Sequence, residues 1–526
     1  MDTAATDPPP AGIRRVSLWS LREDVLVEAN TGEDSVLVLT RWGEIRVDSP
    51  GPAAKELLRR MSFGPVSLEN VLGAPAREPA AEELAQHKRL HEVLDQLQCA
   101  VVRSLGLQNA AGPLLSVVPI ARQATFDPPE LDSGQVVRLS RFAALRVGEA
   151  GMLLESPLAL HRVVLHRAVA TWVVGSLGRP TTPAATAAAL HLAEPVALDL
   201  VSYLVAAGMV VLSQPGALPA TARFAEDSDP VLMPWSHHDL LFHSRSRLGR
   251  HDDPHGAVFP YAERLPPEPA VKPPPAGPRL PLYRPALADV LAADPKLTAV
   301  VEARRSFHEF GPTPVTAEQI GELLYRTARI RSLRPGPGAP GETPYVISDR
   351  PYPTSGGLHE LELYLTIDRC TGLARGIYHY DPLEHGLTLV NENEDDLSEL
   401  LDAARVSAGM TAPPPVLLTM TARFRRVSWM HSGLAYATSL KHVGVLQQTL
   451  YLVATAMRLA PCAIAGGDSD AAARAFRLDW RAESSVGEFI VGSPPEKIIK
   501  STSSDTPVND PWWAGHGMED FDPNNQ

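Results

Sequence analysis

The sequence predicts an α+β protein in which two related N-terminal segments precede a larger C-terminal domain. Three observations lead to this prediction. Apolar residues recur first with strand and then with helical periodicity in each of two N-terminal segments. A proline-rich stretch follows them, and motifs of arginine, serine and glycine lie beyond it. At 526 residues the chain is long enough for two or three domains, each with its own core.

Composition excludes several classes of protein. The formal net charge of −13 argues against a general nucleic-acid-binding protein, because that function needs a basic face. Three widely spaced cysteines form neither a disulfide framework nor a zinc-binding pattern, which favours the reducing cytoplasm. No run approaches the roughly 18 apolar residues that a membrane helix needs. Residues 1–12 lack the features of a signal peptide, and we expect them to be disordered.

The N-terminal region contains a degenerate internal duplication, with copies at residues 13–106 and 135–213. The copies open with the similar segments 15–22 and 137–146. Extended apolar and polar alternation follows in each, and a Ser-Pro pair (Ser49, Ser156) ends the strand region. Helical periodicity follows in Ala54, Leu57, Leu58 and Met61 of the first copy and in Leu160, Val163, Val164 and Ala168 of the second.

Each copy closes with a helix that runs into a short β segment. The residues concerned are Leu94, Leu97, Ala100, Val101 and Val102 in the first copy, and Leu204, Val205, Met209, Val210 and Val211 in the second. Strands, then helices, then a terminal hairpin form the pattern of a winged helix, so tandem winged-helix-like repeats are predicted. Winged helices often bind DNA, but the acidic balance favours a peptide. A structural extension or a dimerisation arm is the alternative.

Residues 214–295 are predicted to be a linker that leads into the C-terminal domain. Eight prolines between 266 and 281 favour extended, semi-rigid geometry. Residues 334–341 are too rich in proline and glycine for a helix or strand and predict a flexible loop. In the tail, 501–526, the pair Trp512 and Trp513 could dock on a partner subunit.

Two motifs in the C-terminal domain point to a bound anion and a close backbone approach. Arg304 and Arg305, followed by Ser306, supply fixed positive charge and a hydroxyl donor, which an oxyanion such as a phosphate needs. About fifty residues later, Ser355 precedes Gly356 and Gly357, whose missing side chains let a ligand approach the backbone.

Together with 376–381 (GIYHYD), 448–452 (QTLYL) and 462–467 (CAIAGG), these motifs resemble the nitroreductase fold. More narrowly, they resemble the FMN-dependent azoline dehydrogenases of thiazole/oxazole-modified peptide pathways. The resemblance covers residues 296–500 in order, and 235–247 is similar to the segment that leads into the catalytic domain of that family. It implies a C-terminal nitroreductase-like FMN domain, an obligate homodimer with shared flavin sites, and tandem winged helices that hold a peptide.

The resemblance also implies roles for individual residues. Arg304, Arg305 and Ser306 would hold the FMN phosphate, with His308 where a second cation is usual and Lys497 or Lys500 as a late basic contact. Pro353 and Ser355 to Gly357 would lie along the isoalloxazine ring, reaching it across the dimer interface. The further cofactor contacts that it implies are Gln448, at the start of a long helix, and Ala465, Gly466 and Gly467, which would aim an N–H at flavin N5.

In one segment the sequence departs from that family. Many azoline dehydrogenases carry a Lys-Tyr pair after a tryptophan, whereas Trp429 is followed here by Met430 and His431. Aromatisation removes a hydride and a proton, so a proton acceptor is needed. We expect His431 or Tyr436 to serve, with His359 as a nearby alternative, unless the ring proton leaves to water.

A group of histidines and aspartates near residues 237–255 lacks the tight spacing of a zinc site, so no metal is expected. The predicted function is oxidation of thiazoline or oxazoline rings in a ribosomal peptide of a thiopeptide-type pathway, with hydride transfer to FMN and reoxidation by oxygen. The precursor peptide and cyclodehydratase proteins are the expected partners. An NAD(P)H-dependent nitro or flavin reductase and a non-catalytic scaffold are the alternatives.

Overall fold

A computed structural model describes residues 14–29, 34–73, 81–108, 112–149, 151–496 and 512. The chain divides into two compact units, Met1–Asp253 and Pro254–Gln526. No helix in the described part of the chain is both long and apolar enough to cross a membrane. Residues 1–12, for which disorder is predicted, lie outside the described residues.

The described residues in the first half of unit 1 form six strands and three helices. In order they are β1 (Arg15–Leu21), β2 (Leu26–Ala29), β3 (Ser35–Thr40), β4 (Gly43–Asp48), α1 (Gly51–Met61), α2 (Glu69–Leu72), α3 (Ala81–Gln96), β5 (Val101–Leu107) and β6 (Leu115–Pro119). Strands β2, β3 and β4 form an antiparallel meander, and β1 pairs with β5. Helix α1 buries Ala54, Leu57, Leu58 and Met61, which confirms the predicted helical face.

The second half repeats this order. Its elements are β7 (Val137–Leu139), β8 (Ala144–Gly148), β9 (Gly151–Glu155), β10 (His161–Leu165), α4 (Ala168–Ser176), α5 (Pro183–Leu190), α6 (Glu194–Ala206) and β11 (Val210–Leu212), and then α7 (Ala225–Ser228) and α8 (His237–Arg245). Strands β8, β9 and β10 form a meander, and β7 pairs with β11. In both halves, therefore, three meander strands and three helices lie between a first and a last strand that pair with each other.

One predicted helix in the second half is wrong. Leu160, Val163 and Val164 are spaced as on a helix, but residues 161–165 form strand β10, and the helix begins only at Ala168. Ser156 lies between β9 and β10, so it does not end the strand region as predicted. Strand β10 also pairs with β6, which joins the halves in one six-stranded sheet of order β1-β5-β6-β10-β9-β8. The winged-helix assignment of the two halves stays a prediction.

Unit 2 is built on a seven-stranded sheet. Its elements are β12 (Gly256–Ala257), β13 (Arg279–Pro281), α9 (Leu287–Ala293), α10 (Leu297–Ala303), β14 (Val315–Thr316), α11 (Ala317–Ala328), β15 (Ser332–Pro335), β16 (Val346–Asp349), β17 (Leu361–Ile367), β18 (Cys370–Thr371), β19 (Gly376–Asp381), β20 (Gly386–Asn391), α12 (Glu394–Ser407), β21 (Val416–Arg423), α13 (Phe424–Ser428), β22 (His431–Ser432), α14 (Ala435–Ala456), β23 (Ala460–Ile464), α15 (Ser469–Phe476) and β24 (Glu483–Gly492). The sheet has the order β13-β20-β19-β17-β21-β24-β23, and every neighbouring pair is antiparallel.

Both faces of this sheet are covered, which explains why its strands are continuously buried. Helices α11 and α14 pack on one face, where Leu446 and Leu450 belong to a core with Phe489. Helices α12 and α15 pack on the other. Helix α14 has 22 residues, so it runs about 33 Å along the sheet. This helix positions the residues of the candidate site.

Parts of two segments expected to be irregular are structured. Residues 279–281 of the predicted linker form β13, an edge strand of the main sheet. Lys272, farther upstream, contacts Tyr364 Oη at 2.8 Å and Glu483 at 2.5 Å, so the proline-rich stretch is anchored to unit 2. In the predicted loop 334–341, Arg334 and Pro335 belong to β15, which pairs with β16.

Candidate functional site

The first cluster of candidate residues lies where α10 ends. Ser306 Oγ is 2.6 Å from Tyr451 Oη, and the same tyrosine oxygen accepts the backbone N–H of Ala463 at 2.7 Å. The Arg304 guanidinium lies 5.2 Å above the Tyr451 ring. Tyr451 therefore connects the arginine-serine motif to the strand that precedes the Ala465–Gly467 turn. We call Arg304, Ser306, Tyr451 and Ala463 the cradle.

The neighbours of the cradle have other contacts. The Arg305 guanidinium lies 5.1 Å from the ring centre of Phe307 and 5.4 Å from that of Trp512, and burial lowers its pKa. His308 is exposed, and its Nδ1 donates to the carbonyl of Ala408 at 2.8 Å. Trp512 is 3% exposed and stacks on Phe307, so the expectation that it docks on a partner subunit is wrong. Trp513 lies outside the described residues.

The second cluster surrounds the turn Ser355–Gly357. Gly356 and Gly357 have φ values of 64° and 66°, a left-handed conformation that favours glycine. A β-carbon on Gly356 would meet Met430 Sδ at 3.4 Å, and one on Gly357 would meet the Ser348 carbonyl at 3.3 Å. The backbone of this turn therefore packs directly against the Met430–His431 segment, which the resemblance singled out. Pro353, just before the turn, is exposed.

A chain of hydrogen bonds passes through Ser355. Its hydroxyl lies 3.0 Å from His431 Nε2, and its backbone N–H donates to His442 Nε2 at 2.8 Å. On the other side of that ring, His442 Nδ1 donates to Glu360 Oε1 at 2.8 Å. Ser355, His431, His442 and Glu360 form what we call the relay cluster. The sequence predicted Ser355 and His431 but neither His442 nor Glu360.

Burial and hydrogen bonding set the charge of this cluster. Burial lowers the pKa of His431, so its ring tends to stay neutral. Burial alone would raise the pKa of Glu360, but the hydrogen bond that it accepts from His442 keeps it below its usual value. The structure thus holds an ionised carboxylate against one imidazole and a neutral imidazole against the serine hydroxyl.

The other two candidate proton acceptors lie in different surroundings. His359 is buried, donates from Nε2 to the Tyr352 carbonyl at 3.0 Å, and has Nδ1 3.1 Å from Ser348 Oγ. Burial lowers its pKa to about 4, and both ring nitrogens are engaged, so His359 supports the turn. Tyr436 is 48% exposed on the first turn of α14, with its ring 6.0 Å from that of Phe424.

The glycine-rich turn after β23 is exposed at Ala465, Gly466 and Gly467. A β-carbon on Gly467 would lie 2.2 Å from Glu488 Oε1. Burial raises the pKa of Glu488 to about 7. This carboxyl was not among the predicted site residues.

The prediction for Gln448 is wrong in its position. Gln448 is exposed in the middle of α14, which begins at Ala435, thirteen residues earlier. Its neighbour Gln447 faces the sheet and donates to the Glu488 carbonyl at 3.1 Å. Successive residues on a helix are rotated by about 100° about its axis, so the side chains of Gln447 and Gln448 point in different directions.

The cradle and the relay cluster lie on different flanks of α14. His442 and Tyr451 are nine positions apart, which corresponds to about 14 Å along the axis and two and a half turns. The sheet-facing residues Leu446 and Leu450 lie between these flanks. The structure therefore brings Ser355 and His431 together, and Arg304 and Ser306 together, but as two separate groups.

The remaining predictions concern residues elsewhere. Lys497 and Lys500, expected near a phosphate, lie outside the described residues. Across the described ranges no group of three or more histidine, cysteine, aspartate or glutamate residues is arranged to hold a metal ion. His237 and His243 lie on helix α8 of unit 1.

Comparison with known proteins assigns this part of the chain. Residues 301–493 match the model of the nitroreductase family. Unit 2 contains a nitroreductase-family domain. Residues 137–252, which run from β7 to the end of unit 1, match the model described as cyanobactin oxidase ThcOx. A segment similar to a cyanobactin oxidase thus precedes the nitroreductase-family domain, and both matches indicate an oxidoreductase.

Individual relatives are distant. A candidate nitroreductase of Methanocaldococcus jannaschii is 23% identical over 164 residues, which is 31% of this chain and 75% of that protein. A candidate nitroreductase of Ralstonia eutropha is 21% identical with a TM-score of 0.33, over 44% of this chain and 99% of the other. The Escherichia coli microcin synthetase McbBCD complex, solved with truncated pro-MccB17 bound, gives 20% identity and a TM-score of 0.30, over 48% and 90%.

The nitroreductase family typically binds FMN, and the cradle suits its phosphate. Arg304 and Ser306 place a cation beside an exposed hydroxyl, and no carboxylate among the described residues pairs with that arginine. A dianionic phosphate would find charge-assisted donors there. The exposed glycine turns at Gly356 and Gly466 offer backbone surfaces on which a flat ring system can lie.

Proposed function

We propose that this protein is an FMN-dependent dehydrogenase that oxidises thiazoline or oxazoline rings in a ribosomally made peptide to aromatic azoles. The observation that carries the proposal is the combination, in one chain, of a cyanobactin-oxidase segment at 137–252 and a nitroreductase-family domain at 301–493. A simple reductase of small molecules has no evident need of the first segment. The pathway that we propose is of the thiopeptide type, in the cytoplasm.

Each group of residues has a proposed role. Arg304 and Ser306, held by Tyr451, bind the phosphate, while the Ser355–Gly357 and Ala465–Gly467 turns line the ring system. When bound, FMN supplies the acceptor for a hydride, since flavins take two electrons from a substrate. The protein supplies an acceptor for the proton, and His431 is the favoured base because its neutral ring is bonded to Ser355. Molecular oxygen is the proposed final oxidant.

A homodimer is part of the proposal. The cradle and the relay cluster occupy opposite flanks of α14, so a flavin held by one cradle needs a Ser355 turn from elsewhere. A two-fold dimer would contain two such sites, each with the cradle of one chain and the Ser355 turn of the other. The N-terminal repeats would hold the precursor peptide, and cyclodehydratase proteins would deliver it.

The test begins with the visible spectrum of purified protein supplied with FMN. We expect a flavin band near ~450 nm and, with a synthetic peptide that contains one thiazoline ring, a mass loss of about 2 Da. Arg304→Gln should reduce both flavin content and turnover. Consumption of NAD(P)H without mass loss would overturn the proposal in favour of a reductase, and a protein that binds no FMN would favour a scaffold.

A further inference from the structure

The relay cluster has a defined direction of hydrogen bonding. A carboxylate can only accept, so the Nδ1 of His442 carries the hydrogen in its bond to Glu360. His442 Nε2 accepts the Ser355 N–H, which requires a lone pair at that nitrogen. His442 is therefore a neutral imidazole in one tautomer, held by Glu360 in the way that a carboxylate commonly orients a histidine. Its effect is to fix the Ser355 amide.

The burial of these residues differs along the cluster. Glu360 and His442 are 0% and 6% exposed, and His431 is 8% exposed. Ser355 is only partly buried, at the surface of the exposed glycine turn. The His431 ring thus lies behind Ser355, and the serine hydroxyl is the member of the cluster that a ligand above the turn would meet.

We propose that the Ser355 hydroxyl carries the ring proton to His431, and that Glu360 and His442 position Ser355 for this transfer. The inference rests on the proposed function and adds a catalytic residue and two positioning residues to it. The ring C–H bond breaks, its proton passes to Ser355 Oγ, and the hydroxyl proton passes to His431 Nε2. The adjacent carbon loses a hydride to FMN, so the serine is unchanged and the imidazole carries the proton.

This role explains both contacts of Ser355 at once. A serine that only lined the flavin would need no fixed rotamer. Here the N–H is bound on one side and the Oγ on the other, which fixes the side-chain direction between a buried base and the open face of the turn. Direct transfer to His431 would require the ligand to displace Ser355. Tyr436, 48% exposed, would accept a proton at a different position.

The relay is tested with Ser355→Ala and Ser355→Thr, and with Ser348→Ala as the matched control. Ser348 is a buried serine whose hydroxyl lies 3.1 Å from His359, next to the same turn but outside the relay cluster. For Ser355→Ala we expect FMN affinity and KM within about threefold of wild type and kcat lower by roughly 100-fold, the scale of general-base catalysis. Ser355→Thr, which keeps a hydroxyl, should recover most of kcat. The acid limb of the rate profile should vanish with Ser355→Ala.

The positioning role is tested without turnover. Hydrogen exchange followed by mass spectrometry should show that the Ser355 amide is protected in wild type. In His442→Ala its exchange rate should rise at least about tenfold, which corresponds to the loss of one hydrogen bond. Glu360→Gln should give an intermediate rate, because its amide oxygen still accepts from Nδ1. FMN affinity, measured by flavin fluorescence, should weaken in the same order.

The outcomes separate the relay from the proposed function. Wild-type protein that binds FMN but leaves the thiazoline peptide unchanged would overturn the function, whereas the exchange measurement would still report on the cluster. Active wild type with an equally active Ser355→Ala would overturn the relay alone. An equal loss of kcat in Ser348→Ala would also overturn it, since the effect would then come from loosening the turn.

Discussion

The hydroxyl of Tyr451 lies 2.6 Å from the hydroxyl of Ser306 and accepts the backbone N–H of Ala463 at 2.7 Å. One side-chain oxygen therefore joins the segment after α10, the long helix α14 and the strand that ends at the glycine turn. The Arg304 guanidinium above the same ring adds a cation. Tyr451 aligns the proposed phosphate donors without contributing a charge.

Replacing Tyr451 by phenylalanine should weaken flavin binding more than it weakens the fold. The Ser306 hydroxyl loses its anchor and the Ala463 N–H loses its acceptor, at a cost of about 1–2 kcal/mol. We expect the FMN dissociation constant to rise roughly five- to thirtyfold by fluorescence titration. Tyr378→Phe is the control, because that hydroxyl donates to the Ala374 carbonyl at 2.9 Å on strand β19. Equal effects of the two variants on FMN affinity would contradict the assignment.

The pH dependence of turnover should reflect His431. Its pKa is lowered chiefly by burial, and it is partly restored by the Gly256 carbonyl and Glu360. As a base the ring must be neutral, so kcat/KM should stay constant as pH falls and decline only below about 6.5, the ordinary histidine value. His431→Phe should lose this limb and most of the rate. A decline that begins above neutral pH would assign the proton to another group.

The fold was more predictable than the details of each repeat. Helix α1 follows its apolar spacing because one face is buried and the other solvated. The same reasoning fails for strand β10. Leu160, Val163 and Val164 fit a helical spacing, but His161, Val163, Val164 and Leu165 are all buried, so the alternation that marks a strand is absent.

Only those site residues that belong to a short sequence motif could be predicted. Arg304, Ser306 and the Ser355 turn stand out as short polar or glycine-rich patterns. Glu360 and His442 are 82 positions apart, and no local pattern relates them. His442 lies within a helix whose other residues are mostly apolar, where a single histidine would ordinarily be taken as core. A buried acid and a buried histidine become a pair only through the packing of α14 beside β17.

Because of Glu488, the free energy of unfolding should fall as pH rises. Burial raises its pKa from 4.5 to about 7 in the folded protein. Below about pH 4.5 the carboxyl is protonated in both states and costs nothing. Between the two values the unfolded chain ionises while the folded one keeps its proton, so stability falls as pH rises.

Glu488→Gln should therefore stabilise unit 2 at alkaline pH by as much as about 3 kcal/mol, and very little near pH 4. Thermal unfolding at the two pH values measures the difference. Glu399→Gln, an exposed residue that pairs with Arg474 at 2.5 Å, is the control and should show no such gain. A gain for Glu488→Gln that is independent of pH would mean that the pKa of the carboxyl is the same in the folded and unfolded protein.

The shared flavin site can be tested by combining two defective chains. Arg304→Gln removes a cation from the cradle, and Ser355→Ala removes the hydroxyl of the relay cluster, so each homodimer should be nearly inactive. A heterodimer that joins one chain of each variant can be purified through two different tags. If each site takes Arg304 from one chain and Ser355 from the other, one of its two sites has both residues intact. The second site then carries both defects.

We expect this heterodimer to show about half of the wild-type activity per dimer, measured by mass loss of the thiazoline peptide. The controls are dimers in which both chains carry the same substitution and differ only in their tags, and these should show no such gain. If each site drew both residues from a single chain, each would keep one defect, and the heterodimer would be as inactive as its parents. Because His442 and Tyr451 face away from each other across α14, the first outcome is the one that the structure favours.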